Sequence, residues 1–241
     1  FCFILLFCFK TAYSQTPNPC YTDDYINNNK ALKEAYDKTF LEAKSHINKK
    51  RSNEVYKIPV VVHIVYENST ENIDDSLVYS QIDVLNEDYR RFNADTINTR
   101  TEFDSLAADT RIEFFLATID PDGNPTTGIT RTQSTQSTFV FPMDMVKSSS
   151  SGGIDAWPVN KYLNIWVCDL SFFGVPSVLG FAYPPVDAPN WPTGSVPTDS
   201  LNDGVVIHYE VFGRDNPLSN LNFGGSSVNA DKGRTCVHEV G

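Results

Sequence analysis

The order of the hydrophobic patterns in the sequence predicts an α/β fold. Residues 58–66 are apolar on both alternating faces and rich in β-branched side chains, which is typical of a strand buried on both sides. Apolar side chains then recur at steps of four and three along residues 74–93, which predicts an amphipathic helix. Residues 111–119 are predicted as a second strand, closed by the turn sequence Asp-Pro-Asp-Gly. Because strand, helix and strand follow in that order, the two strands should lie parallel, joined by a right-handed crossover.

The helix at residues 74–93 has a start signal and a defined apolar face. Asp74 or Asp75 can cap it, because an aspartate carboxylate accepts a hydrogen bond from a free amide of the first turn. Side chains at helical spacing form a stripe that should face the core: Val78, Ile82, Leu85, Tyr89 and Phe92.

Three further strands are predicted in the second half of the chain. They lie at residues 162–168, 179–183 and 204–209, and the short middle one is set among residues dense in proline and glycine. The Ser/Thr-rich stretch that ends in the run 148–153, and the Gly/Asn/Ser-rich residues 213–229, are predicted as loops.

The sequence divides into three parts. Residues 1–14 begin with an apolar run too short to cross a membrane and end in small residues, which is typical of the tail of a secretory signal peptide, with cleavage expected before Gln15. Residues 15–57 are predicted as a pro-segment, and residues 58–241 as the N-terminal part of a catalytic domain. No methionine opens the chain, so we expect it to be an internal piece of a longer reading frame.

The predicted pro-segment contains an amphipathic helix followed by a basic linker. Within residues 29–50 the helical stripe consists of Leu32, Tyr36, Phe40, Ala43 and Ile47. Residues 49–53 are basic and polar, and we expect them to be exposed and open to proteolysis.

Charge and hydrophobicity exclude some classes of function. The net charge is -11, and a nucleic-acid backbone would be repelled by a protein this acidic. Beyond the first residues no apolar run is long enough for a membrane span. These features favour an exported protein whose partners are neither nucleic acid nor bilayer.

The last nine residues, G-R-T-C-V-H-E-V-G, contain a His-Glu pair that could begin a zinc-peptidase motif. In H-E-x-x-H on a helix, the two histidines lie on one face and bind one Zn2+. The intervening glutamate then takes a proton from a water whose pKa the metal lowers. In this chain the first histidine would be His238 and the glutamate Glu239, and the second histidine would directly follow Gly241. The pair alone leaves a second interpretation open, in which His238 is simply a histidine near a helix end.

Six stretches in fixed order resemble the pappalysin group of metzincin zinc peptidases. The likeness covers most of residues 58–241, and ordered matches over that length are far more specific than one His-Glu pair. The stretches are I-P-V-V-V-H-I-V-Y (58–66), Q-I-D-V-L-N-E-D-Y-R-R-F-N (81–93), L-N-I-W-V-C (163–168), L-G-F-A-Y-P-P (179–185), D-G-V-V-I-H-Y-E-V-F-G (203–213) and the terminal nine residues.

The resemblance implies a metzincin-like N-terminal subdomain, whose twisted, mostly parallel sheet packs on a backing helix and an active-site helix. It implies His238 as a zinc ligand and Glu239 as the general base, and it places the remaining zinc ligands and the family's Met-turn beyond Gly241. We therefore expect this fragment alone to bind zinc poorly and to be inactive. The implied cofactor is Zn2+, with Ca2+ as a second candidate ion. An extended peptide would pair with an edge strand, for which residues 179–183 or 204–209 are candidates.

Three cysteines follow the predicted signal peptide. The resemblance implies that Cys20 is a latency switch whose thiolate occupies the open zinc position, and the alternative is a disulfide with Cys168 or another partner. Cys236 lies about 200° around the helix from His238, so it should face away from the metal as a core residue or half of a disulfide.

The other histidines carry no metal spacing. His63 and His208 lie within apolar strands and are predicted as core histidines with satisfied hydrogen bonds, while His46 is predicted on the exposed side of the leader helix.

The function that these features favour is a secreted zinc-dependent metalloendopeptidase, made as a zymogen, which acts on protein or peptide substrates. The alternative is a non-catalytic exported binding or adhesion module that keeps the fold. A serine hydrolase is disfavoured, because no G-x-S-x-G elbow occurs in the chain.

Overall fold

The structure is a computed structural model that describes residues 26–45, 54–140, 143–183, 203–223 and 226–241. The predicted signal peptide, Cys20, His46 and the basic linker lie outside these residues.

A six-stranded sheet forms the centre of the molecule. Its strands are β1 (Tyr56–Tyr66), β2 (Ile112–Leu116), β3 (Ile129–Gln133), β4 (Leu163–Cys168), β7 (Gly180–Tyr183) and β8 (Gly204–His208). The strand order is β2-β1-β4-β8-β7, and β3 pairs with β1 beyond the end of β2. All pairs are parallel except β7 with β8, so the predicted mostly parallel sheet is confirmed.

The long strand β1 lies in the middle of the sheet and is buried on both faces, as its sequence predicts. Val60, Val62 and Ile64 point into a lower core, together with side chains of the helices described below. Val65 points into a smaller upper core around Trp166. This alternation follows from the period of two in a strand.

The helices that accompany the described sheet are α1 (Lys30–Ser45), α2 (Asp75–Tyr89) and α3 (Arg234–Val240). Asp74 caps α2, because its side chain accepts a hydrogen bond from the amide of Ser76 at 2.8 Å. Val78, Ile82 and Leu85 of α2 are buried against the lower face of the sheet, so α2 is the backing helix.

The predicted stripe of α2 is wrong at its last member. The helix ends at Tyr89, and Arg91 adopts a positive φ of 56°. Because a left-handed residue cannot continue a right-handed helix, the chain turns away there and leaves Phe92 68 % exposed.

The helix predicted in the leader exists, but its buried face differs from the predicted stripe. Leu32 and Ala35 are buried, whereas Tyr36 and Phe40 are 52 % and 55 % exposed. The burial therefore follows a spacing of three residues from Leu32 and not the spacing of four that the large side chains suggested.

Three strands, β3, β9 (Asn220–Phe223) and β10 (Ser226–Asn229), occur where loops were predicted, and two more, β5 (Ser171–Phe172) and β6 (Val175–Pro176), occur where no strand was predicted. β3 lies in the Ser/Thr-rich stretch, where its polar side chains gave no apolar alternation. Two short antiparallel hairpins are β5 with β6, and β9 with β10. Such strands are set by backbone pairing with distant or polar segments, which local hydrophobic periodicity does not report.

Candidate active site

The helix that carries the His-Glu pair starts at a glycine with a left-handed backbone. Gly233 has a φ of 67°, and a Cβ there would lie 3.2 Å from Oε1 of Gln81. Gln81 of α2 is fully buried; its Nε2 donates to the carbonyl of Gly233 at 2.9 Å, and its Oε1 accepts from the amide of Gly213 at 2.9 Å. One side chain thus joins α2, the loop at Gly213 and the start of α3.

The first residue of α3, an arginine, ties the helix to α2 and to the turn that follows α2. Arg234 donates to Asp88 through Nε at 3.1 Å and to Asp95 through Nη2 at 2.6 Å. These hydrogen bonds from Arg234 are the main reason that the pKa of the Asp95 carboxyl lies well below its usual range. The fork of the guanidinium suits two carboxylates on different segments.

Farther along α3, His238 and Glu239 have opposite environments. His238 is exposed, whereas Glu239 is buried, with 7 % of its surface accessible. A Cβ on Gly180 would lie 2.9 Å from Cγ of Glu239, so the glutamate side chain lies directly against the backbone of β7. Only glycine at position 180 leaves room for this approach.

α3 ends at Val240, and Gly241 follows it as the C-cap. Gly241 is exposed and caps the helix, because its amide donates to the carbonyl of Val237 at 3.3 Å. Glycine has no side chain, so Gly241 is not itself a zinc ligand. The prediction that the remaining ligands lie beyond Gly241 stays a prediction.

Cys236 points in a third direction, into the lower core, and is fully buried. Burial raises the pKa of its thiol far above the usual range. The prediction that Cys236 faces away from the exposed His238 is consistent with this placement. Cys168 is likewise buried, and both are free thiols in the structure.

The strand beside Glu239 is an edge strand. β7 pairs with β8 on one side, and within the part of the chain that the structure describes no strand pairs with its other side. Of the two candidate regions, residues 179–183 therefore contain the edge. The candidate at residues 204–209 was wrong, because β8 lies between β4 and β7.

The two strand histidines are buried and hydrogen-bonded, as predicted. Nδ1 of His63 lies 2.7 Å from Oγ1 of Thr130 and Nε2 lies 3.0 Å from Oδ1 of Asn164, while burial lowers the pKa of His63 to about 4. Nδ1 of His208 accepts from the amide of Leu170 at 3.0 Å.

The donor set at the end of α3 fits zinc in kind. An exposed imidazole is a common zinc ligand, and a buried carboxylate adjoins it. Among the described residues no group of three His, Cys, Asp or Glu side chains is arranged to hold a metal. The prediction that His238 is a zinc ligand stays a prediction. The predictions of a Ca2+ site and of a Cys20 switch stay predictions.

Sequence reasoning missed the residues that position the helix. Gln81, Gly180 and Arg234 act through contacts between segments far apart in the chain. Gly180 alone left a signal, since a glycine inside a short apolar strand often marks a close approach of another group.

Within the residues that the structure describes, no helix is long and apolar enough to cross a membrane.

No family model and no curated protein matches the chain. Among solved structures it is similar to mature mirolysin of Tannerella forsythia in complex with a cleaved peptide, with 48 % identity and a TM-score of 0.66 over 78 % of this chain and 63 % of that one. A mirolysin complex with compound 9 gives 48 % identity and a TM-score of 0.65 over 78 % and 62 %.

A promirolysin mutant of Tannerella forsythia gives 42 % identity and a TM-score of 0.69 over 94 % of this chain and 67 % of that one. The chain thus spans between 62 % and 67 % of the length of these structures. Mirolysin is a pappalysin-type metzincin. Two chains that are 42 % identical over this extent are members of one family. The chain belongs to the pappalysin-type metzincins.

Proposed function

We propose that the chain is the N-terminal part of a secreted zinc metalloendopeptidase, made as a zymogen, in which His238 is a zinc ligand and Glu239 is the general base. The observation that carries the proposal is the placement of Glu239. Its side chain lies against Gly180 of the edge strand, one residue along the helix from an exposed imidazole. A base so placed is close to any peptide that pairs with β7.

The chain's own residues would orient and move protons in the reaction. Zinc, when bound, supplies a Lewis acid that polarises the scissile carbonyl and activates water. Glu239 would accept the proton of the attacking water and deliver it to the leaving amine. Its buried side chain packs with Cγ against Gly180 of β7, the strand with which the substrate would pair.

A peptide substrate is supported from two sides. The outer edge of β7 presents backbone amides and carbonyls to which an extended chain can add as a further strand. The similar mirolysin structure contains a cleaved peptide.

The zymogen part of the proposal rests on the leader. The share of this chain that aligns rises from 78 % with mature mirolysin to 94 % with promirolysin, and this gain of about 39 residues is close to the 43 residues of the predicted pro-segment 15–57. In this proposal Cys20 blocks the zinc site until the chain is cut near residues 49–53, and secretion follows from the signal-peptide features of residues 1–14.

The Cys20 switch predicts activity without cleavage when its thiol is removed. In the full-length, uncleaved protein, Cys20→Ser should hydrolyse peptides at a rate near that of the processed enzyme, because a hydroxyl is a far weaker zinc ligand than a thiolate. A continuous fluorescent-peptide assay checks this, and an uncleaved variant that stays as latent as the parent would contradict it.

The alternative, a binding module that keeps the fold, is separated from a peptidase by one substitution. In the processed full-length protein, Glu239→Ala should lower kcat for peptide hydrolysis by at least about 100-fold while zinc content is retained, because a general base contributes on that order. Exposed Glu102→Ala is the matched control and should leave kcat unchanged. Absence of hydrolysis in the parent protein under all zinc loadings would favour the binding module.

A further inference from the structure

A lysine is buried beside the edge strand, on the face opposite the active-site helix. Lys147 closes a short 3-10 helix (Met143–Lys147) and is 2 % exposed. Its Nζ lies 5.3 Å from the ring centroid of Trp166, 5.4 Å from that of Phe181 and 4.7 Å from that of Tyr183. Three aromatic faces at these distances attract a cation and compensate part of its lost hydration.

Two carboxylates lie near this ammonium. Asp144 lies 3.9 Å away, and the charge of Asp203 also acts on Lys147. The hydroxyl of Tyr183 donates to Asp144 Oδ2 at 3.2 Å. We call Lys147, Asp144, Asp203 and Tyr183 the lysine clasp.

The clasp connects both ends of the link between β7 and β8. Tyr183 is the last residue of β7, and Asp203 directly precedes the first residue of β8. Backbone pairing of Tyr183 with Gly204 already joins this end of β7 to β8. Removing the charge of Lys147 would leave the two half-buried carboxylates without this cation. The clasp therefore adds side-chain contacts that help to hold the far end of β7.

That far end is separated from the proposed reaction centre by a definite length of strand. Glu239 lies against Gly180, and Tyr183 follows three residues later, which is about 10 Å along a strand. A peptide paired with β7 would place its scissile bond near Gly180, and residues several positions away on one side beside Tyr183.

We propose that Lys147 is a positioning residue that makes the enzyme favour long peptides, by holding the far end of β7 where an extended substrate can pair with it. This inference rests on the proposed peptidase function. It predicts that Lys147 affects only those substrate residues that reach the Tyr183 end, and leaves the chemistry at Glu239 alone.

The state of charge of Lys147 offers a second readout. Burial lowers its pKa to about 8, against the raising effect of Asp144 and Asp203. The ammonium therefore loses its proton as the pH rises through about 8, and its attraction for the two carboxylates is lost with it. Burial raises the pKa of both carboxyls, and the charge of Lys147 opposes this shift.

The experiment compares peptide lengths in the processed full-length protein. A minimal cleavable peptide is lengthened by three residues on its N-terminal side or on its C-terminal side, and kcat/KM is measured for the parent, Lys147→Met and exposed Lys57→Met as control. In the parent and control, one extension should raise kcat/KM about tenfold through added backbone hydrogen bonds. In Lys147→Met the gain in kcat/KM should fall to about twofold or less, because KM for the extended peptide rises. The kcat/KM for the minimal peptide should not change.

The pH series keeps the test decisive if Lys147→Met does not fold. In the parent, kcat/KM for the extended peptide divided by kcat/KM for the minimal peptide should fall between pH 6.5 and 9, because Lys147 loses its charge over this range. Titrations that affect both peptides equally cancel in this ratio. A ratio that stays constant over this range, or an equal loss on all peptides in Lys147→Met, would overturn the inference while peptidase activity stands. Failure of the parent to cleave any peptide would overturn the proposed function and the inference together.

Discussion

Gly180 lets the edge strand approach the active-site helix so closely that it touches the side chain of Glu239. A Cβ at this position would also lie 3.0 Å from Cδ1 of Ile207 and 3.1 Å from the carbonyl of Val206. Three neighbours on two elements thus require the same small residue. The candidate site therefore depends on the small size of Gly180 as well as on His238 and Glu239.

The proposed functional pair was suggested by the sequence because it forms a local motif. His238 and Glu239 are adjacent, and the nine residues around them resemble a family's helix. Gln81 could not be found in that way, since its two partners are Gly213 and Gly233, more than 130 positions away. Its role is a property of the folded chain alone.

Buried His63 makes stability depend on pH. Its pKa falls from 6.5 to about 4 on folding, chiefly through burial. Between these values the unfolded chain binds a proton that the folded chain does not. The free energy of unfolding is therefore unaffected by His63 titration above pH 6.5 and falls as the pH drops from 6.5 toward 4. The shift corresponds to about 3 kcal/mol.

Urea unfolding at several pH values measures this term. His63→Asn should flatten the fall in the free energy of unfolding between pH 6.5 and 4.5, whatever its effect at neutral pH. An unchanged slope in the variant would show that other groups cause the pH dependence.

Among the elements, α3 is short and depends on its neighbours. A helix of 7 residues is not stable by itself, so its position comes from packing on β7 and β8 and from the contacts at its start. Gln81 of α2 supplies one of those contacts. Arg234, the first residue of α3, supplies the others by bonding to Asp88 of α2 and Asp95 of the turn that follows it.

Removing the buried amide should therefore destabilise the fold at this helix. Gln81→Leu leaves the carbonyl of Gly233 and the amide of Gly213 without their partner, which should cost about 2–4 kcal/mol. Urea unfolding gives the free energy, and exposed Gln136→Leu serves as the control with a change within about 0.5 kcal/mol. Equal stability of the two variants would contradict the role given to Gln81.

The elements that sequence predicted well are those with a strong local period. β1 and α2 each carry a long apolar pattern, and both occur where expected. The end of α2 was misplaced because Phe92 continues the apolar spacing, whereas the backbone turns at Arg91. β3 and β10 carry mostly polar side chains, so hydrophobic periodicity did not reveal them. β9 alternates Asn-Leu-Asn-Phe, but over four residues only, within a stretch rich in Gly, Asn and Ser.

For the whole molecule, the α/β class followed from the order of β1, α2 and β2, and the parallel pairing of the two strands confirms it. The family followed from six motifs in order and is shown by the similarity to mirolysin. The full set of metal ligands could not be predicted, because among the described residues the chain contributes one imidazole, His238, to the proposed site.

The proposed peptidase requires that His238 binds zinc in the full-length protein. The zinc stoichiometry of the purified, processed protein and of its His238→Ala variant can be measured by elemental analysis after dialysis. We expect about one zinc per chain in the parent and a loss of most of that zinc in the variant, since outright loss of a ligand weakens a zinc site strongly. A parent without zinc, or a variant that keeps the full stoichiometry, would contradict this expectation.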